Sequence, residues 1–347
     1  MSTSRNISLF VLACVVAAPA ALAGGRNPGS VLVFPVQRSG VSPTETGNSA
    51  FFTIINVTNI NTTPQNPSSF GGSTGVHYQY ANTINNPADI QQPLGCIVFD
   101  RHEFLTPADT LSVLTTCHNA AFAPGQAGYL VVSAENPSAF NTPWSHNFLI
   151  GSELVVNASG GIYSLNALPF EAVPAQGANT DVNLNGRLDF DGAEYEGTPE
   201  TLYIDSFIAL AGSQLALINL TGGPSALATA QIDIWNDNEF ALSTTKVFKC
   251  WFDVQLTSIS PLFSSAFLSN NTPDDPRELD LDCNGINDVE TGWARIEGIV
   301  AQTPFGAARP NPAFLGSITS GPATAINGGH LLWESKAKQL NGSFMEP

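Results

Sequence analysis

Short apolar segments, broken by glycine, proline, asparagine and serine, set the rhythm of this chain, and long helical periodicity is absent. The segments that read as strands are 31–36, 51–58, 76–80, 96–99, 110–114, 129–133 and 148–156. After a break come 202–209, 214–220, 230–235, 244–252 and 293–301. Several alternate: in Gln231-Ile232-Asp233-Ile234-Trp235 the isoleucines point one way and the polar residues the other, as a half-buried strand requires. Only 333–340 has the spacing of a short terminal helix. The pattern predicts an all-β chain.

The order of the segments repeats. The strand ending Asn56-Val57-Thr58 resembles the one ending Asn219-Leu220-Thr221, and an aromatic strand follows each, around Tyr78 and Tyr80 and then at Trp235. Next come Cys96 with Phe99-Asp100, and Cys250 with Phe252-Asp253, leading to Leu105-Thr106 and Leu256-Thr257. Gly128-Tyr129 and Gly292-Trp293 then open a further strand. The spacings differ, so the repeat is one of order, and two β domains sharing common strand vocabulary would read the same way. The expected architecture is two tandem immunoglobulin-like β-sandwich domains, at 24–173 and 201–330, joined by an acidic linker at 174–200 and followed by a tail at 331–347.

Residues 1–23 read as a secretory signal: Arg5, an apolar run over 7–18, Pro19, then Ala21-Leu22-Ala23 with small residues at the cleavage positions. Cleavage near Ala23 places the chain in the secreted or cell-envelope fraction. Cys14 after Leu12-Ala13 partly matches a lipidation box, but Leu12 stands one position too late. No later stretch reaches the roughly 18–20 apolar residues of a membrane span.

Charge narrows the partners. The 347 residues carry 12 Lys+Arg against 29 Asp+Glu, a net charge of −17, which disfavours nucleic acid and anionic lipid surfaces and attracts divalent cations. Four cysteines remain beyond the signal segment: Cys96, Cys117, Cys250 and Cys283. They allow three pairings, with Cys96–Cys117 and Cys250–Cys283 favoured as local to each half, and four buried thiols as the alternative.

The strongest chemical signal lies in the linker, Asp181-Val182-Asn183-Leu184-Asn185-Gly186-Arg187-Leu188-Asp189-Phe190-Asp191-Gly192. A calcium loop needs hard oxygen donors at positions 1, 3, 5 and 9, a backbone carbonyl at 7 and glycine at 6. Asp181, Asn183, Asn185, Asp189, the Arg187 carbonyl and Gly186 fill those slots, and Leu188 supplies the apolar residue that pins such a loop. Position 12 is Gly192, so Asp191 or Glu194 must substitute for the usual bidentate Glu. A second run offers Asp280, Asp282, Asn284, Gly285 and Asp288 at the same positions. Both are expected to use Ca2+ structurally, the ion fixing loops that lack an apolar core of their own.

The first loop resembles those of EF-hands, and more closely the helix-poor versions in dockerins and thrombospondin type 3 repeats; the second resembles the Asp-Cys-Asn-Gly runs of dockerin-like segments. Across most of its length the chain also resembles a group of exported bacterial β-rich proteins sharing Leu105-Thr106-Pro107-x-Asp109-Thr110-Leu111 and Glu290-Thr291-Gly292-Trp293-x-Arg295. That likeness implies export and no particular reaction.

Catalytic signals are thin. Gly71-Gly72-Ser73-Thr74-Gly75 has the Gly-x-Ser-x-Gly spelling, but a nucleophile elbow follows a buried strand and opens a helix, and here a strand comes next. The five histidines have no zinc spacing, and His102-Glu103 reads as a surface turn pair. Trp235, Trp251 and Trp293, with Tyr78, Tyr80 and Tyr129, are candidates for a ligand-stacking face. These readings favour a structural or adhesive protein that binds a surface protein or polysaccharide without catalysis. The competing reading is a secreted glycan hydrolase using paired carboxylates such as Asp233 and Asp237.

Overall fold

The computed structural model describes residues 27–40, 52–84, 86–89, 92–119, 126–156, 161–209, 212–236, 238–272, 280, 282–285, 288–304, 306–320, 327–333 and 338–344. The signal segment, Asp237 and residues 334–337 lie outside them. The chain is all-β, and the expected strands recur with shifted ends.

In the N-terminal half these are β1 (Val31–Ser39), β2 (Phe52–Asn59), β3 (Thr74–Ile84), β4 (Gly95–Leu105), β5 (Thr110–Leu114), β6 (Gln126–Glu135), β7 (Leu149–Val156), β8 (Ile162–Asn166) and β9 (Leu168–Phe170). A short strand β10 (Leu188–Phe190) leads to the second half: β11 (Thr201–Ile208), β12 (Gln214–Asn219), β13 (Leu227–Asn236), β14 (Ala241–Lys249), β15 (Trp251–Gln255), β16 (Thr291–Gln302), β17 (Ala308–Pro310), β18 (Phe314–Ser320), β19 (Asn327–His330) and β20 (Gly342–Phe344). Helix α1 (Thr115–His118) follows β5, and α2 (Leu256–Ile259) follows β15. The run expected at 244–252 is two strands, because Cys250 takes a left-handed φ of 57° and breaks it. The terminal helix expected at 333–340 does not continue through 338–340, where Gln339 instead bridges Thr198.

The N-terminal strands pair as one sheet that turns over on itself, since β1 and β2 meet only at Ser39 and Phe52. One layer, I, has the order β4-β3-β6-β1 with β9 beyond; the other, II, is β5-β2-β7-β8. The C-terminal half has the same order in two sheets: β15-β12-β18-β19 (III) and β14-β13-β16-β11 (IV). The correspondence reaches single residues. Asn82 of β3 faces Gly128 of β6, and Asn236 of β13 faces Gly292 of β16. At both glycines a Cβ would strike a carbonyl of the partner strand, Ala81 at 1.9 Å and Trp235 at 2.4 Å.

Among the described residues, three buried clusters lie between these layers, the middle one also taking in Val155, Tyr163 and Leu165 of layer II. Leu32 and Phe34 face the core between I and II, while Val31 and Val33 face a middle core. On β12, Ala216 and Ile218 face that same middle core, and Leu215 and Leu217 face the core between III and IV. Layer I therefore packs its outer face on layer III, and β1, β6 and β12 are buried on both sides. Such strands have no polar face to alternate with.

The middle core also holds the sulfur link. Cys96, opening β4, is joined to Cys250, between β14 and β15, across 154 residues. The local pairings expected from sequence are wrong, as is the alternative of four buried thiols: Cys117 in α1 and Cys283 in the second acidic loop are free and exposed. Layer packing, not chain proximity, decides which sulfurs meet. Beside the disulfide, the Trp251 indole donates to the Pro35 carbonyl at 2.8 Å, and Arg38 pairs with the buried Asp253.

A second buried acid, Glu153 of β7, lies near the same arginine with no side-chain partner of its own. Burial pushes its carboxyl well above the ordinary range, and the Val36 backbone and Arg38 offset this only in part. Arg38 bonds Asp253, and it acts only through its charge on Glu153. Because its folded pKa is raised, its contribution to stability is intact below the ordinary glutamate value and is lost as pH climbs through the folded one. Glu153→Gln is expected to raise stability at neutral pH by about 1–3 kcal/mol and to change little below about pH 4. Urea melts of both proteins across that range check it; a constant difference would refute it.

Candidate metal centre and the cleft beside it

The linker loop is built from its own backbone turns. Asp181 accepts the backbone N–H groups of Asn185 and Gly186 at 3.0 Å each, through its two carboxylate oxygens. The Asn183 oxygen accepts from Asn185 N–H at 3.0 Å, and the Asn185 oxygen from Arg187 N–H at 2.8 Å. Gly186 supplies the left-handed turn with φ 74°. The amides of Asn183 and Asn185 both reach Asp189 Oδ2 at 2.8 Å. Turning each amide about its last bond would present oxygen there instead.

Glu194 completes the ring. Its Oε1 accepts from Val182 N–H at 2.8 Å and Asn183 N–H at 3.3 Å, and its Oε2 from Asp189 N–H at 3.4 Å. The residue outside the twelve-position frame thus folds back to the loop's centre. Burial raises its carboxyl pKa despite those backbone donors. Burial also acts to raise Asp189, but the nearby Ser343 hydroxyl, the hydrogen bonds from the Asn183 and Asn185 amides and the Arg187 charge outweigh it and hold that carboxyl below its ordinary value.

One expectation needs correction: the loop does not lack an apolar base. Leu188, Phe190 and Tyr195 enter the middle core, β10 pairs with β20, and the Phe170 and Phe190 rings meet at 4.7 Å. Hydrophobic packing anchors the exit of the loop, and the oxygen-bearing arc from Asp181 to Arg187 is left on the surface.

In the second loop, among the described residues, carboxylate oxygens of Asp280, Asp282 and Asp288 lie within 4.8 Å of one another. Asp280 accepts from Gly285 N–H at 2.6 Å, and that bond is the main reason its carboxyl sits low. Asn284 N–H reaches Asp282 at 3.1 Å. Cys283 is exposed here with φ 61°.

The aromatic candidates divide. Trp235 and Trp293 face each other across β13 and β16 and stack at 4.1 Å on the outward side of layer IV, with Trp293 39% exposed. Arg295 lies over Trp235 at 5.7 Å and bonds Asp233 at 2.8 Å. Burial acts to raise the Asp233 carboxyl, but Gln231 and Arg295 outweigh it and hold it low. Trp251 is elsewhere, in the middle core, and Tyr78, Tyr80 and Tyr129 are buried. Ser73 is buried too, bonds Gln65, and precedes β3 with no helix after it.

Sequence reasoning missed a second cluster. His102 is not in a turn but within β4, directly opposite His77 of β3, and the two rings stack at 4.2 Å. Its neighbour Glu103 points the other way and meets His118 at 3.2 Å. Both histidines approach Glu135 at the end of β6: His102 Nδ1 lies 2.8 Å from Oε2 and His77 Nδ1 3.5 Å from Oε1. His77 Nε2 bonds Asp100 at 3.0 Å. His77, Asp100 and Glu135 line one wall of a cleft of about 430 Å³, and Asp181, Asn185 and Arg187 of the linker loop line the other. Only strand register creates this group, so spacing along the chain carried no signal of it.

No protein-family model matches this chain, and no curated protein is similar to it at a significant level.

Proposed function

We propose that this is an exported, calcium-stabilised structural or adhesive protein whose halves are immunoglobulin-like sandwiches, and that it binds a surface protein or polysaccharide without catalysing a reaction. The observation that carries the reading is the linker loop: Asp181, Asn183, Asn185 and Asp189 turn toward one another, and Glu194 closes the ring from outside the expected frame. A divalent ion there relieves the repulsion among the carboxylates, and a weak site suffices in a calcium-rich exterior. The Trp235–Trp293 pair, flat and outward, is the proposed ligand face. Asp233 is tied to Arg295 and held ionised, which suits a binding surface better than a proton donor for glycan hydrolysis.

Calcium at a hundred times its dissociation constant is expected to stabilise the protein by about 2.7 kcal/mol, a rise in Tm of roughly 5–10 °C that EDTA reverses. Asp181→Ala combined with Asp189→Ala should remove most of the rise. A midpoint indifferent to saturating calcium would end the proposal. For the ligand face, Trp293→Ala should abolish retention on a glycan array while leaving the calcium response intact.

A further inference from the structure

We propose that His77, His102 and Glu135 form a second, chemically distinct metal site, one for a divalent transition-metal ion such as zinc, opening into the cleft beside the linker loop. Three observations meet at this point. First, the ligand types are right: two imidazoles and one carboxylate are a donor set for zinc and its neighbours, whereas calcium takes oxygen alone. Ligand atoms of all three residues lie within 4.8 Å of one another, and the stacked rings turn both Nδ1 atoms toward the same carboxylate.

Second, His77 already has an orienting partner. Its Nε2 lies 3.0 Å from Asp100 and its Nδ1 3.5 Å from Glu135 Oε1, so the tautomer protonated at Nε2 directs its Nδ1 lone pair at Glu135. A histidine held by an outer carboxylate through one nitrogen, with the other nitrogen directed at the ion, is the usual outer-shell arrangement of metal sites.

Third, the ligands sit on rigid parts. His77 and His102 are central in paired strands, and Glu135 is 2% exposed with Oε1 fixed by the Asn141 N–H at 3.0 Å. The cleft side remains open for water or a ligand oxygen as the fourth donor. His118 and His146 do not compete in this way. Both nitrogens of His118 are engaged, by Tyr80 and Glu103. His146 is buried against Trp144 and Phe148, with Nε2 on Asn59.

The test uses the untagged, calcium-saturated mature chain carrying Cys117→Ser and Cys283→Ser, so that neither a purification tag nor exposed thiols take up metal. Calorimetric titration with zinc chloride is expected to give one equivalent bound. His77→Gln and His102→Gln should each abolish that equivalent, and Asp100→Asn should weaken it by about 10–100-fold. An unchanged calcium shift in Tm would verify that each variant is folded and that the linker loop is intact. Zinc-edge anomalous scattering from crystals of the unaltered protein should give a peak at the Nδ1 atoms of His77 and His102, beside the Glu135 carboxylate. Absence of zinc uptake, uptake indifferent to both histidine variants, or a peak elsewhere would overturn the site while leaving the calcium reading untouched.

Discussion

Removing the Cys96–Cys250 disulfide by paired alanine substitution is expected to destabilise the protein by about 5 kcal/mol, the chain-entropy value for a crosslink closing 154 residues. The bond ties the start of β4 to the junction of β14 and β15, so its loss frees the two halves from each other in the unfolded ensemble. In the folded state it opens a gap in the middle core. Guanidinium unfolding of the protein, with and without the substitutions, measures the difference. Thiol titration of protein made without residues 1–23 provides an independent check: two reactive thiols in the native state, Cys117 and Cys283, rising to four only after reduction. An unchanged unfolding midpoint, or no reactive thiol before reduction, would contradict the assignment.

Arg38→Met should cost about 3–5 kcal/mol, because it leaves the Asp253 carboxylate buried without its partner. Burial already pushes the Asp253 carboxyl up, and Arg38 alone opposes that push. Adding Asp253→Asn to Arg38→Met should recover much of the loss, since a neutral pair across the same interface carries no unpaired charge. If the double substitution is as unstable as the single one, the loss comes from packing of the arginine stem and not from its charge.

Strand identity was legible because turn-forming residues bound each apolar run, and the order of the strands was legible from the aromatic and Gly-aromatic positions; the cysteine and Phe-Asp positions misled, since Cys96 and Phe99-Asp100 lie in β4 whereas Cys250 follows β14 and Phe252-Asp253 lie in β15. The middle core was not. Val31-Leu32-Val33-Phe34 and Tyr129-Leu130-Val131-Val132 lack polar alternation, which is the mark of two-sided burial, yet a sandwich reading gives each strand one covered face. Had that difference been weighed, a further layer over β1 and β6 would have been required, and with it a reason for Cys96 to meet Cys250. The linker loop was legible almost residue by residue, because oxygen donors at fixed spacing are a local property. Of the two offered substitutes, Glu194 is the one whose carboxylate accepts the loop's backbone N–H groups, a contact that spacing does not show. His77 and His102, 25 positions apart, meet through a hairpin register that spacing does not encode.

The four layers are stacked front to back, with equivalent surfaces facing the same way and no two-fold axis relating the halves. Such a heterologous arrangement is open-ended: layer II of one molecule could dock on layer IV of the next and propagate into a filament. The two end surfaces differ from the buried ones at matching positions. Where layer I presents Tyr129 and Val131 to its neighbour, the matching positions of layer IV are Trp293 and Arg295, the latter locked to Asp233. At the other end, Asn56, Ser112 and Ser152 form polar rungs across layer II. Those polar groups interrupt the apolar match that the middle core makes, and replacing them with apolar residues is expected to favour end-to-end association.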